Sequence, residues 1–110
     1  MPVNMKNVIA DTFVSMAKQK PVDKITVKAL IEACGVSRQT FYYHFQDIME
    51  VIEWTLEQAT QEMLERSLKS QSAREALIVL IDTSKANSVF IRKLLDSQKR
   101  AQIEMLFVQA

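Results

Sequence analysis

TVKALIEACGVSRQTFYYHF, from Thr26 to Phe45, divides into two short helices about one tight turn. The first helix carries Val27, Leu30 and Ile31 at helical spacing and breaks at Gly35, the only glycine in the 110-residue chain. A left-handed, helix-ending conformation costs least at that residue. Ser37 is a good N-cap for the second helix. The buried side of that helix is expected at Phe41 and Phe45, leaving Arg38, Gln39, Tyr42, Tyr43 and His44 on other faces.

A DNA-reading helix-turn-helix needs this arrangement. Its second helix must fit the major groove and present hydrogen-bonding tips, while the first only braces it. Three runs of residues also resemble the N-terminal DNA-binding signature of TetR-family transcriptional regulators. They are Ile25-Thr26-Val27, Gly35-Val36-Ser37 and Thr40-Phe41-Tyr42-Tyr43-His44-Phe45. The resemblance is strong over about the first 55 residues and weak beyond them. It implies a three-helix DNA-binding head over residues 1–46, followed over 47–110 by a long linking helix and a partial helical regulatory and dimerisation domain.

Composition agrees with an all-α fold. One glycine and two prolines leave little turn chemistry for sheets, and no useful stretch alternates in the manner of a strand. At 48% hydrophobic content the chain has enough apolar residues for a modest core in one domain, or one small domain with an appendage. The N-terminus lacks a long apolar core behind a basic start, and no segment approaches the roughly 18–20 apolar residues of a membrane span. The expected address is therefore cytoplasmic, in a bacterium and on the nucleoid when bound to DNA, and no membrane partner is expected.

Catalysis finds no support. His44 is the only histidine and has no nucleophile or orienting carboxylate near it in sequence. Cys34 is the only cysteine and reads as a small buried residue. One of each does not make a metal site. No catalytic residue, metal or cofactor is expected, although a small-molecule effector is compatible with the family resemblance.

The formal charge of +1 hides an asymmetry. Residues 1–46 hold six basic groups against three acidic ones, and residues 47–110 hold eight against ten. A basic head on an acidic body suits docking on DNA by one end, and ordinary scatter of surface charge gives the same numbers.

In chain order, Asn4 caps a helix expected to run to about Gln19, with Met5, Ile9, Phe13 and Met16 sharing a face. Pro21 ends it and opens the connector Pro21-Val22-Asp23-Lys24. Thr26 caps the second helix, and by resemblance also contacts a DNA phosphate. Arg38 and Gln39 suit guanine and adenine edges, and Tyr43 a base or a thymine methyl. By resemblance Thr40, Tyr42 and His44 position phosphates, although packing of Tyr42 and His44 on neighbouring helices is the alternative. Lys28 and Ser37 complete the expected DNA-binding set. Many relatives carry a phosphate-contacting lysine where this chain has Ile48, so that contact is expected to be absent.

Asp47 and Glu50 form a capping-box-like pair opening a helix from about Ile48 to Leu68, with Ile48, Val51, Ile52, Leu56, Ala59 and Met63 on one side. Trp54, soon after the motif, is similar to a feature of regulators of dihydroxyacetone kinase operons. Ser72 and Glu75 make a second box before Leu77, Ile78, Leu80 and Ile81. Asn87-Ser88 reads as a break, with Val89–Leu95 and Arg100–Val108 as one broken or two short helices. The apolar end at Met105-Leu106-Phe107-Val108 needs a partner surface. Relatives in the resembling family are typically longer, so the chain is expected to be a truncation or a short variant that dimerises through what remains.

The expected function is sequence-specific regulation of transcription. The resemblance implies a repressor that binds a palindromic double-stranded DNA operator as a homodimer and is released by a small molecule. The alternative is a helical protein-interaction module or coactivator partner with weak or no DNA affinity.

Overall fold

The computed structural model describes residues 4–108, so the outermost bounds expected for the head and body, residues 1 and 110, lie outside the described residues. Six helices follow one another: α1 (Met5–Ala17), α2 (Val27–Cys34), α3 (Arg38–His44), α4 (Ile48–Leu68), α5 (Ala73–Leu95) and α6 (Arg100–Val108). A 3-10 turn at Val22–Lys24 joins α1 to α2, and there is no strand among the described residues. The all-α expectation holds.

Asn4 caps α1 by accepting the backbone N–H groups of Lys6 and Asn7 on its side-chain oxygen. Ile9, Phe13 and Ala17 then recur every fourth residue and are fully buried, with Ala10 beside them. Met5, Val14 and Met16 only flank the core. The helix stops at Ala17, two residues earlier than its apolar spacing suggests. Gln19 and Lys20 both donate backbone N–H groups to the carbonyl of Met16, tightening the last turn before Pro21.

One core gathers side chains from every helix. Leu30 of α2, Phe41 of α3, the adjoining Phe45, and Ile48, Val51 and Ile52 of α4 close around the α1 stripe. Phe90 and Leu94 of α5 and Ile103 of α6 complete it. Full burial of a side chain of this size contributes roughly 1.5–3 kcal/mol, so these residues fix how the helices pack together. Phe13 and Phe90 meet edge to face with centroids 6.1 Å apart.

The α4 boundaries are those the capping pair suggests. Asp47 accepts the N–H of Glu50 at 2.9 Å, and the Glu50 carboxylate accepts the N–H of Gln46 at 3.1 Å. Only the first turns of α4 are buried. Leu56, Ala59 and Met63 are half-buried, and Leu64 and Leu68 are exposed.

The expected break at Asn87-Ser88 does not occur, and α5 runs unbroken from Ala73 to Leu95. Neither residue is a helix breaker of the proline or glycine kind. Ser88 satisfies its hydroxyl within the helix by donating to the Lys85 carbonyl at 2.9 Å. Phe90 and Leu94, anchored in the core, hold the following turns in register. Val89–Leu95 is thus the end of α5, and Arg100–Val108 is a separate helix. At the opposite end of α5, Ser72 and Glu75 cap as expected, yet Leu77, Ile78, Leu80 and Ile81 are exposed. Met105, Phe107 and Val108 of α6 are exposed as well. No helix among the described residues is long and apolar enough to cross a membrane.

Candidate nucleic-acid interface

Gly35 adopts φ 73° and ψ 29°, and its N–H closes on the carbonyl of Ile31 at 2.9 Å, with Val36 donating to the same carbonyl at 3.2 Å. A Cβ at this position would meet nothing within 4 Å, so the demand for glycine is conformational and not one of space. The turn sets α3 at an angle to α2, and Ser37 starts it by accepting the Thr40 N–H at 3.0 Å. Ser37 and Phe45 lie at the caps, so the helix proper is Arg38–His44.

Phe41 is fully buried and Phe45 nearly so, which fixes the rotation of α3 about its axis. The opposite side is a row of large polar and aromatic groups. Arg38 and Gln39 are exposed in the first turn, Tyr42 is 48% exposed, and Tyr43 is 84% exposed. An aromatic ring held that far into solvent contributes nothing to the core of this chain. Tyr42 stands edge-on to Phe41 at 5.2 Å, and Tyr43 edge-on to His44 at 5.0 Å. Thr40 and His44 are half-buried at the flank of the row. Both ring contacts are between neighbours on α3 itself, not with another helix, and Tyr42 and His44 keep accessible surface.

The hydroxyls have protons to spare. Thr26 uses its oxygen to accept the Ala29 N–H at 3.1 Å, leaving its own O–H at the exposed start of α2, two residues before the exposed Lys28. Ser37 donates to Thr40 Oγ1 at 2.9 Å, so the proton of Ser37 is spent and that of Thr40 is free to donate outward. Nine expected residues therefore fall into two groups, Thr26 and Lys28 at the start of α2 and Ser37–His44 along α3.

Ile48 is 7% exposed and belongs to the core. The start of α4 presents the Asp47 and Glu50 carboxylates and no cation. A cation missed in the sequence lies close by. Lys6 of α1 places Nζ 5.4 Å from the ring centre of Phe45 and 6.0 Å from that of Trp54, and those two rings meet edge to face at 6.3 Å. Its i, i+3 spacing to Ile9 is the one signal the sequence offered. Cys34 is half-buried against the core, and no group of three or more His, Cys, Asp or Glu residues is placed to hold a metal among the described residues.

Residues 9–53, from the α1 core stripe through the buried start of α4, match the model of the bacterial regulatory proteins of the tetR family. Residues 9–53 form a TetR-family helix-turn-helix domain. A curated relative, the HTH-type dhaKLM operon transcriptional activator DhaS of Lactococcus lactis, is 24% identical over 89 residues. Those residues are 81% of this chain and 48% of the relative, so the chain spans about half the length of the curated relative it matches. The TetR-family match crosses the expected head boundary at residue 46 and takes in Ile48, Val51 and Ile52, the α4 residues buried in the same core as α1 to α3.

Proposed function

We propose that the chain is a sequence-specific DNA-binding regulator of transcription. The observation that carries this reading is the two-sided α3, whose Phe41 and Phe45 are buried while Arg38, Gln39, Tyr42 and Tyr43 point outward. Arg38 and Gln39 reach base edges and Tyr43 a base or thymine methyl. Thr26, Lys28, Thr40, Tyr42 and His44 hold the backbone, while Ser37 sets the start of the helix. The chain acts in the bacterial cytoplasm as a homodimer on a palindromic operator, one α3 per half-site. Residues 1–46 serve as the reading head and 47–110 as linking helix and partial regulatory body. A small molecule acting on that body shifts α4 and hence the spacing of two heads.

The family resemblance suggests repression, whereas the DhaS relative is described as an activator. A reporter driven from the bound promoter, with and without the protein, reads the sign directly.

DNA binding itself is tested by anisotropy titration of duplex from the region upstream of the gene, beside scrambled duplex, at two salt concentrations. Selective, salt-sensitive binding that falls roughly ten- to hundredfold in an Arg38→Ala, Tyr43→Ala variant supports the reading. Absence of binding, even with two heads joined covalently, refutes it in favour of a protein-interaction module.

A further inference from the structure

On the DNA-binding reading given above, we propose that Lys6 is a further contact to the DNA backbone, parked on the faces of Phe45 and Trp54 in the free protein. The register of α1 puts it there. Ile9 and Phe13 are locked in the core, so the residue three before Ile9 is carried to the junction of α3 and α4. The cleft at that junction is lined by Lys6, His44 and the two rings, together with Glu50, Glu53 and Glu57. The ammonium thus lies at the C-terminal end of the proposed reading helix, beside one of its proposed phosphate contacts.

Lys6 is also uncommitted. Three carboxylates line its cleft, yet it forms no ion pair with any of them; the ion pair among the described residues is Arg100 with Glu104 on α6. Nor does its Nζ donate a hydrogen bond to any described residue, so all three N–H donors are available. A ring face holds a partly exposed ammonium weakly, whereas a phosphate offers hydrogen-bond acceptors and release of a counterion. The groups at the start of α4 cannot do the same work. Ile48 is in the core, and Asp47 and Glu50 bear the wrong sign.

The test compares wild type with Lys6→Met, which keeps an apolar stem over the rings, and Lys6→Arg, which keeps the charge. Each is titrated with the labelled upstream duplex over a series of salt concentrations. A lost phosphate contact lowers the slope of log affinity against log salt by about 0.9 in Lys6→Met, and Lys6→Arg retains it. Emission from Trp54, the only tryptophan, should change on duplex addition to wild type and change less in Lys6→Met. A wild-type slope in Lys6→Met overturns the proposal, and if affinity also falls the role is a structural staple. A wild type with no salt-dependent binding overturns the DNA-binding reading and this contact together, so the two failures are distinct.

Discussion

Both carboxylate oxygens of Asp23 accept the backbone N–H of Gln98, each at 3.1 Å, across 75 positions of chain. Asp23 sits in the 3-10 turn between α1 and α2, and Gln98 in the connector between α5 and α6. The bond therefore ties the foot of the helix-turn-helix to the far end of α5. Ser97 beside it is buried, and its hydroxyl accepts the Lys99 N–H, so the connector is held from two directions. Asp23→Ala should destabilise the chain by about 1 kcal/mol, below the roughly 1.5–3 kcal/mol of a hydrogen bond to a charged group because the site is exposed. Asp23→Asn, which keeps an acceptor, should lose less, and the difference in urea midpoints checks both.

Gly35→Ala should cost about 1–2 kcal/mol, because alanine must take a left-handed conformation where glycine is at ease. Open space around the site rules out a clash as the cause. Gly35→Asn should recover part of the loss, and thermal melts of the three proteins in parallel read the order.

Tyr43→Ala should leave stability within about 0.5 kcal/mol of wild type, since the ring is 84% exposed. Duplex affinity should nevertheless fall roughly tenfold or more. A melt and an anisotropy titration on the same preparation separate the two effects. A large drop in melting temperature would instead make Tyr43 part of the packing.

Thr83→Val should raise the unfolding free energy by about 1 kcal/mol, read from denaturant unfolding. The Thr83 hydroxyl oxygen is buried and finds no hydrogen-bond partner among the described residues, as does that of Ser67. Replacing an unpaired buried hydroxyl with a methyl of similar shape removes a desolvation cost. A fall in stability would mean that the hydroxyl is satisfied in solution.

Phe90→Ala should be the most damaging of these changes, at about 3–5 kcal/mol, because it removes the edge-on partner of Phe13 from the centre of the core. Denaturant unfolding followed at Trp54 reads the loss.

Local signals in the sequence located α2, its glycine turn, α3 and the start of α4, because Thr26, Gly35, Ser37 and Asp47 each act on a backbone group within a few residues. The burial of Phe41 against the exposed Gln39, Tyr42 and Tyr43 agrees with helical period, whereas the exposure of Arg38, three residues before Phe41, and the burial of Phe45 at the extended cap do not follow from it. Phe90 was not legible, because a polar Asn87-Ser88 pair looks like a boundary when its hydroxyl bond to the previous turn is unseen. The Asp23 to Gln98 bond and the seat of Lys6 on two rings depend on where distant elements meet, and no local pattern announces either. Leu77, Ile78, Leu80 and Ile81 are exposed, which the capping box that precedes them gives no means of reading.

The meeting of Phe13 and Phe90 bears on whether α1 to α3 can be separated from α5. Moving α1 to α3 onto a foreign set of helices would leave Phe13 without its ceiling unless the recipient supplied an aromatic ring at the same height. The two ends of this chain are therefore not freely exchangeable parts. The aromatic pair acts as a compatibility key, and new chimeras should be chosen by whether both halves of that key are present.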